Sequence, residues 1–191
     1  NFVGKLARET ARLNELVSQI IALSRLQAAD PLLAAHPVDI AEVMDAAVAR
    51  CRHLAEAGSI QLSLATAPGL VVQGDAEQLQ TAITNLVQNA IAYSEPGARV
   101  AVTSHAVGDQ VEVRVSDNGI GISAADQARI FERFYRVDAD RSRASGGTGL
   151  GLSIVKHVAA AHGGEVTVWS KLGQGSTFTL RLPSSQEGVR P

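Results

Sequence analysis

The most informative stretch of this chain is NLVQNAIAY, residues 85–93. In a helix, Asn85, Asn89 and Tyr93 would lie close to one face, because they follow one another at intervals of four residues. A neighbouring face, which can pack against a sheet, carries Leu79, Ile83, Leu86 and Ala90. Asparagine is not chosen for helix propensity. The pair therefore indicates a functional face, and a solvated face with incidental asparagines is the alternative.

Such a face suits one chemical task. A carboxamide oxygen is a hard, uncharged ligand for a Mg²⁺ ion that already holds phosphate oxygens. We therefore expect Asn85 and Asn89 to face a nucleotide phosphate and its metal ion.

On both sides of residues 85–93, apolar periodicity and turn residues predict one compact domain over residues 38–183. Its predicted elements are helix Ile40–Ala57, strands Ile60–Ala65 and Leu70–Gln73, helix Ala76–Tyr93, strands Arg99–Val107 and Gln110–Ser116, helices Ala124–Phe131 and Leu150–His162, and strands Glu165–Ser170 and Ser176–Leu182. Three helices on one mixed, mostly antiparallel sheet would form a two-layer α+β sandwich.

One long amphipathic helix should precede this domain. Residues 1–29 carry an apolar seam at 3-4 spacing, formed by Leu6, Leu13, Leu16, Ile20 and Leu23. The helix could pack on its own domain, or it could be half of a hairpin that dimerises into a four-helix bundle. Residues 30–37 read as a linker and residues 184–191 as a polar tail.

Composition bounds the remaining choices. The chain has 191 residues, a formal net charge of −2 and a single cysteine, Cys51. These values argue against binding to nucleic acid or to anionic lipid, exclude a disulfide framework and suit a reducing cytosol. No apolar run approaches the ~20 residues that a membrane span requires. The chain begins at Asn1, so we expect a piece of a longer protein whose membrane anchor would lie upstream.

A second motif follows the strand that ends near Ser116. Asp117-Asn118-Gly119-Ile120-Gly121 is a turn in which glycines could allow close approach of a flat ligand. Asp117 could then accept a hydrogen bond from the exocyclic amine of adenine. A plain Asp-Asn-Gly turn is the alternative.

A third motif is the glycine-rich segment GGTGLGL, residues 146–152, which opens the last predicted helix. Free amide groups at a helix N-terminus bind phosphate. The motif is neither a Walker loop nor a dinucleotide-binding fingerprint. The polar segment 138–145 before it carries Arg141 and Arg143, as a mobile lid would, and the alternative is a glycine-rich connector. Residues 130–136, IFERFYR, supply aromatic anchors and arginines, or else a solvated basic face.

Taken in chain order, the motifs at residues 85–93, 117–121, 130–136 and 146–152 resemble the N, G1, F and G2 boxes of the sensor histidine kinases. The resemblance implies the Bergerat ATP-binding fold, and it identifies the N-terminal helix as the second helix of the dimerisation and phosphotransfer hairpin. The stretches NAIAYS, residues 89–94, and RSRASGGTG, residues 141–149, are most similar to the phosphate-responsive sensor kinases of actinobacteria.

The resemblance also implies roles for individual residues. Asn89 would hold Mg²⁺ with Asn85 beside it, and Arg136 would assist at the phosphates. Tyr93, Asp117, Gly119 and Gly121 would form the adenine pocket. The remaining residues that would contact nucleotide are Tyr135, Thr148, Gly149, Leu150, Gly151, Leu152 and Ser176. Cofactors would be ATP and Mg²⁺.

Two departures from the family pattern matter. Ala92 stands where many members have a basic residue. The family's acceptor motif, a histidine followed by an acidic residue and a nearby proline, is missing. His36 lies in the linker, and His157 and His162 read as ordinary helix residues. We therefore expect the chain to transfer the γ-phosphate of ATP to a histidine outside it, and not to phosphorylate itself.

By the same resemblance, the partners would be a response regulator and a second copy of the chain, in the cytoplasmic part of a membrane-anchored protein. One competing hypothesis is a hydrolytic ATPase of the same superfamily, in which a glutamate general base would precede the metal-binding asparagine by four residues. Asn85 occupies that position and cannot take a proton from water. A second hypothesis is a signalling scaffold that binds ATP without turnover, and a third is an anti-sigma-type serine kinase.

Overall fold

A computed structural model describes residues 35–137 and 148–185, together with the single residue Thr10. The helix predicted over residues 1–28, residues 138–147 of the predicted lid and tail residues 186–191 lie outside the described residues.

Seven strands and four helices occupy the described ranges. In chain order they are β1 (His36–Asp39), α1 (Ile40–Ala57), β2 (Gln61–Ala65), β3 (Val71–Gly74), α2 (Ala76–Ala92), β4 (Arg99–Val107), β5 (Gln110–Asp117), α3 (Ala124–Gln127), α4 (Gly151–Ala161), β6 (Glu165–Lys171) and β7 (Gly175–Pro183).

The main sheet has five strands in the order β2-β4-β5-β7-β6. Only β2 and β4 run parallel, and the other neighbours are antiparallel. Helices α1, α2 and α4 pack on this sheet, with α2 between the other two. The largest fully buried side chains of the core are those of Phe178, Ile40, Met44, Leu79, Ile83, Leu86, Leu150, Ile154, Leu180, Leu182, Val48 and Val72. The prediction of a two-layer α+β sandwich with a mixed sheet is confirmed.

Helix α2 begins where the sequence predicts, because Asp75 caps it. The Asp75 carboxylate accepts hydrogen bonds from the backbone N–H groups of Glu77 and Gln78, at 2.9 and 3.1 Å. This satisfies two of the N–H groups that a helix start leaves without partners.

No helix within residues 35–137 and 148–185 is both long and apolar enough to cross a bilayer.

The prediction of a single sheet is wrong. Strands β1 and β3 form a separate antiparallel pair, so the predicted linker ends in a strand that begins at His36. The first tail residues are also paired, because the N–H of Ser184 donates to Asp109 and that of Ser185 donates to Val71. Neither feature has a sequence signal, since a four-residue strand and two tail serines are ordered only by partners that are distant in the chain.

The short helix predicted over Ala124–Phe131 ends earlier, at Gln127. Beyond it the chain continues in turns, with hydrogen bonds from the N–H of Arg129 to Asp126 and from that of Glu132 to Arg129. Phe134 then adopts a left-handed conformation, with a φ of 63°. Such a conformation is incompatible with an α-helix, so no helix extends through Phe134.

Candidate functional site

The asparagine face of α2 is open to a ligand. Asn85 and Asn89 are half-buried, and their side-chain amides make no hydrogen bond with any residue of the described ranges. At the end of α2 the N–H of Tyr93 donates to the carbonyl of Asn89, at 3.1 Å. The predicted spacing of four residues therefore gives one continuous polar face, as the sequence indicates.

Helix α4 starts directly against this face. A Cβ placed on Gly151 would lie 3.2 Å from Oδ1 of Asn85, so glycine lets the first turn of α4 come close to the Asn85 amide. Leu150, the N-cap residue of α4, provides no side-chain cap. The first N–H groups of α4 consequently lack intrahelical acceptors and carry the positive end of the helix dipole. A carboxamide that could bind a phosphate or its metal ion and a helix start that could bind an anion thus lie side by side.

The two leucines of the glycine-rich motif direct their side chains into the core. The side chain of Leu150 is fully buried in the core, and that of Leu152 packs against the core. Their side chains therefore cannot wrap a phosphate, and only their backbone groups can face one. Thr148 orders this start, because its hydroxyl accepts a hydrogen bond from the N–H of Leu150 at 3.3 Å.

Asp117 lies at the end of β5 and carries the second polar group of the site. Its Oδ1 accepts from the N–H of Gly119 at 2.9 Å and from the N–H of Ser176 at 3.2 Å. Its Oδ2 receives no hydrogen bond from the residues that the structure describes. Burial raises the pKa of the Asp117 carboxyl, and the two backbone N–H groups oppose that shift. The carboxylate is therefore fixed through one oxygen, while the other can accept from a ligand.

Gly119 and Gly121 allow close packing of the chain, a role that the sequence does not indicate. A Cβ on Gly119 would collide with the carbonyl oxygen of Tyr93, and one on Gly121 would collide with that of Lys171. Gly121 is also left-handed, with a φ of 71°. The glycines bring the turn against α2 and against the β6–β7 hairpin.

Ser176 is buried beside Asp117 and belongs to a larger hydrogen-bond network. Its hydroxyl lies 2.9 Å from that of Ser170, which accepts from the N–H of Ile122 at 2.8 Å. The side-chain amide of Gln127 donates to the carbonyls of Ile122 and Ser170. These contacts fix the segment after the Asp-Asn-Gly turn on the β6–β7 hairpin. Ser170 and Gln127 were missed, since no sequence pattern marks two isolated polar residues.

Tyr135 and Arg136 lie in the segment that leads to the predicted lid. The hydroxyl of Tyr135 donates to Oδ1 of Asp126 at 2.6 Å, and the guanidinium of Arg129 lies 4.2 Å from its ring centroid. The hydrogen bond raises the pKa of the Tyr135 hydroxyl. This hydroxyl is therefore committed to α3, while Arg136 is half-buried next to it.

Gly149 joins the predicted lid to this segment. Its carbonyl accepts from the N–H of Phe134 at 2.9 Å, and its φ is 75°. A Cβ there would lie 2.9 Å from the Phe134 backbone. The two sides of the undescribed residues 138–147 are thus joined by a direct backbone contact.

Comparison with known proteins agrees with these features. A family model described as "Histidine kinase-, DNA gyrase B-, and HSP90-like ATPase" matches residues 74–186. The chain is 48% identical over 182 residues to the sensor-like histidine kinase SenX3 of Mycolicibacterium smegmatis, covering 95% of this chain and 47% of that protein. The chain thus spans about half the length of the curated relatives that it matches.

Solved structures give the same result. The mycobacterial sensor histidine kinase MprB superposes with a TM-score of 0.69 at 32% identity, covering 78% of this chain and 97% of that one. Full-length ShkA in complex with AMPPNP superposes with a TM-score of 0.80 at 30% identity, covering 96% of this chain and 38% of that one.

Gly121 provides a test of the packing account. We expect Gly121→Ala to destabilise the fold by about 3 kcal/mol, because the added methyl group meets backbone that must shift. Gly173→Ala is a matched control, since Gly173 has a similar φ of 74° and nothing within 4 Å of its Cβ position. It should cost about 1 kcal/mol, the strain of a left-handed alanine. Equal losses in urea unfolding would contradict the account.

Proposed function

We propose that this chain, which belongs to the histidine kinase-, DNA gyrase B- and HSP90-like ATPase family, binds Mg-ATP and transfers the γ-phosphate to a histidine outside the given sequence. The chain carries the ATP-binding catalytic domain of a sensor histidine kinase. The observation that carries the proposal is the contact of Gly151 with Asn85. It joins an uncapped helix start to the asparagine face, which is what a metal-bound triphosphate requires.

The base would bind beside Asp117. Oδ2 of Asp117 would accept a hydrogen bond from the exocyclic amine of adenine, while Ser176 and Gly119 hold Oδ1. Tyr93 would line the same pocket, because its carbonyl accepts from the N–H of Ile120 at 3.1 Å and so ties the end of α2 to the turn. Adenine and triphosphate would thus occupy the two ends of the asparagine face.

The phosphates would bind between α2 and α4. The first N–H groups of α4, at Gly151 and Leu152, would donate to phosphate oxygens. The side-chain oxygen of Asn89 suits Mg²⁺, the amide of Asn85 could donate to a phosphate, and Arg136 would add positive charge. When bound, Mg²⁺ supplies charge neutralisation at the β- and γ-phosphates.

The chemistry of the face favours transfer to a protein acceptor over hydrolysis. An imidazole nitrogen would form a bond to the γ-phosphorus as the bond to the β–γ bridging oxygen breaks, and ADP would leave with that electron pair. A water molecule would instead need a base to take its proton. Asn85 and Asn89 are carboxamides and cannot serve as that base. The residues of this chain would therefore act by positioning and electrostatics.

The remaining roles concern the full-length protein. A response-regulator aspartate would receive the phosphoryl group from the acceptor histidine. Two copies would associate through the helix predicted within residues 1–29. A membrane anchor would lie in a region that the given sequence does not include. These proposals follow from the family to which the chain belongs.

Asp117 allows a direct test of nucleotide binding. We expect Asp117→Asn to weaken Mg-ATP binding at least about tenfold, because an amide N–H₂ facing the adenine amine loses the acceptor and leaves two donors opposed. Asp109→Asn makes the same chemical change at the exposed β4–β5 turn and should bind as the unaltered chain does. Calorimetric titration of both variants checks this, and equal affinities would refute the adenine site.

The chain should bind ATP without phosphorylating itself. None of its five histidines has the acceptor setting, and both ring nitrogens of the buried His162 are already engaged. After incubation with γ-labelled Mg-ATP, we expect no acid-labile label on the chain under conditions where calorimetry detects binding. Stoichiometric acid-labile label would show that an acceptor lies within this sequence.

A further inference from the structure

His162 was read from the sequence as an ordinary helix residue, and this reading is wrong. It is the C-cap of α4 and is 4% exposed. Its Nε2 accepts a hydrogen bond from the N–H of Asp75 at 3.0 Å, and its Nδ1 lies 2.8 Å from the carbonyl oxygen of Val158. One ring thus joins the end of α4 to the residue that caps α2.

These two contacts define the form of the ring. An N–H group can only donate, so Nε2 must be unprotonated to receive the N–H of Asp75. The ring proton is then on Nδ1, which donates to the carbonyl of Val158. His162 is therefore a neutral imidazole whose donor serves its own helix and whose acceptor serves α2.

The chain makes room for this ring at Gly74. A Cβ on Gly74 would overlap Cδ2 of His162. The backbone conformation of Gly74 is not left-handed, so alanine could adopt it. The glycine at the end of β3 is thus explained by the imidazole that lies against it.

Two contacts, one at each end of α4, link that helix to the N-cap and to the middle of α2. His162 contacts Asp75, and Gly151 contacts Asn85. Ten residues separate the two contact points on α2, and eleven separate those on α4. At about 1.5 Å per residue, these spans are about 15 and about 16 Å. The helices therefore run antiparallel, and the spans between the two contacts are similar on both helices, so fixing the contact at one end of α4 restrains the axial position of its other end.

We propose that His162 is a positioning residue for phosphate binding. By holding Asp75 it fixes the axial position of α4 against α2, and so the distance between the first N–H groups of α4 and the side chains of Asn85 and Asn89. This inference rests on the proposed Mg-ATP site. It adds a residue on the far side of the helix pair that contacts neither nucleotide nor metal.

Two substitutions separate the contact with Asp75 from simple loss of the ring. In His162→Gln, the side-chain oxygen can reach the place of Nε2 and accept from Asp75. In His162→Asn, the shorter side chain can reach only the carbonyl of Val158. We expect His162→Asn to weaken Mg-ATP binding about tenfold by calorimetry, and His162→Gln to recover most of that affinity.

Adenosine supplies the control for a general structural effect. It has no phosphate, and its base would bind at Asp117, away from His162. Its affinity, followed by NMR titration, should stay within about twofold in both variants. Equal losses for adenosine and Mg-ATP, or no recovery in His162→Gln, would overturn the positioning role. If the unaltered chain binds neither ligand, the proposed function itself fails.

Gly74→Ala tests the same contact without changing the histidine. Its methyl group should displace the imidazole from Asp75 and reproduce the selective loss of Mg-ATP affinity. In the His162→Asn background, where the ring is gone, the same substitution should cost nothing further. Additive losses would contradict the proposal.

Discussion

The site depends on how one carboxylate oxygen is held. Oδ1 of Asp117 accepts from the turn that follows β5 and from the start of β7, two segments that are far apart in the sequence. The hairpin residue Gly175 lies so close to the Asp117 carbonyl that no side chain would fit there. The fold thus fixes the direction of the carboxylate before any ligand arrives, which lowers the cost of ordering it on binding.

The other half of the site depends on helix packing. The α2–α4 pair presents carboxamides from one helix and free N–H groups from the start of the other, while the core holds Leu150 beneath them. Tyr93 joins the two halves, because it ends α2 and its carbonyl receives the N–H of Ile120. We propose that the Asp117 carboxylate, as acceptor for the base, and the α2–α4 pair, as binding site for the phosphates, line one cleft. In our proposal, His162 sets the spacing within the α2–α4 pair.

The sequence predicts the elements that carry these residues well where local patterns hold the information. The four-residue spacing of Asn85, Asn89 and Tyr93 and the glycines before α4 depend only on helix geometry, and the predicted boundaries of α1, β4 and α2 agree with the structure to within a residue. It fails where distant partners decide. β1 exists only because β3 pairs with it, and the role of His162 depends on a residue 87 positions away. A glycine, likewise, does not reveal whether it faces a ligand or backbone.

We propose that this chain holds adenine through Asp117 and a metal-bound triphosphate between α2 and α4. The most direct measurement compares calorimetric titrations of the chain with Mg-ATP and with Mg-GTP. Guanine presents a carbonyl oxygen where adenine presents an amine, so the fixed Asp117 carboxylate should repel it. We therefore expect the chain to bind Mg-ATP at least about a hundredfold more tightly than Mg-GTP. Equal affinities, or no binding of Mg-ATP, would contradict it.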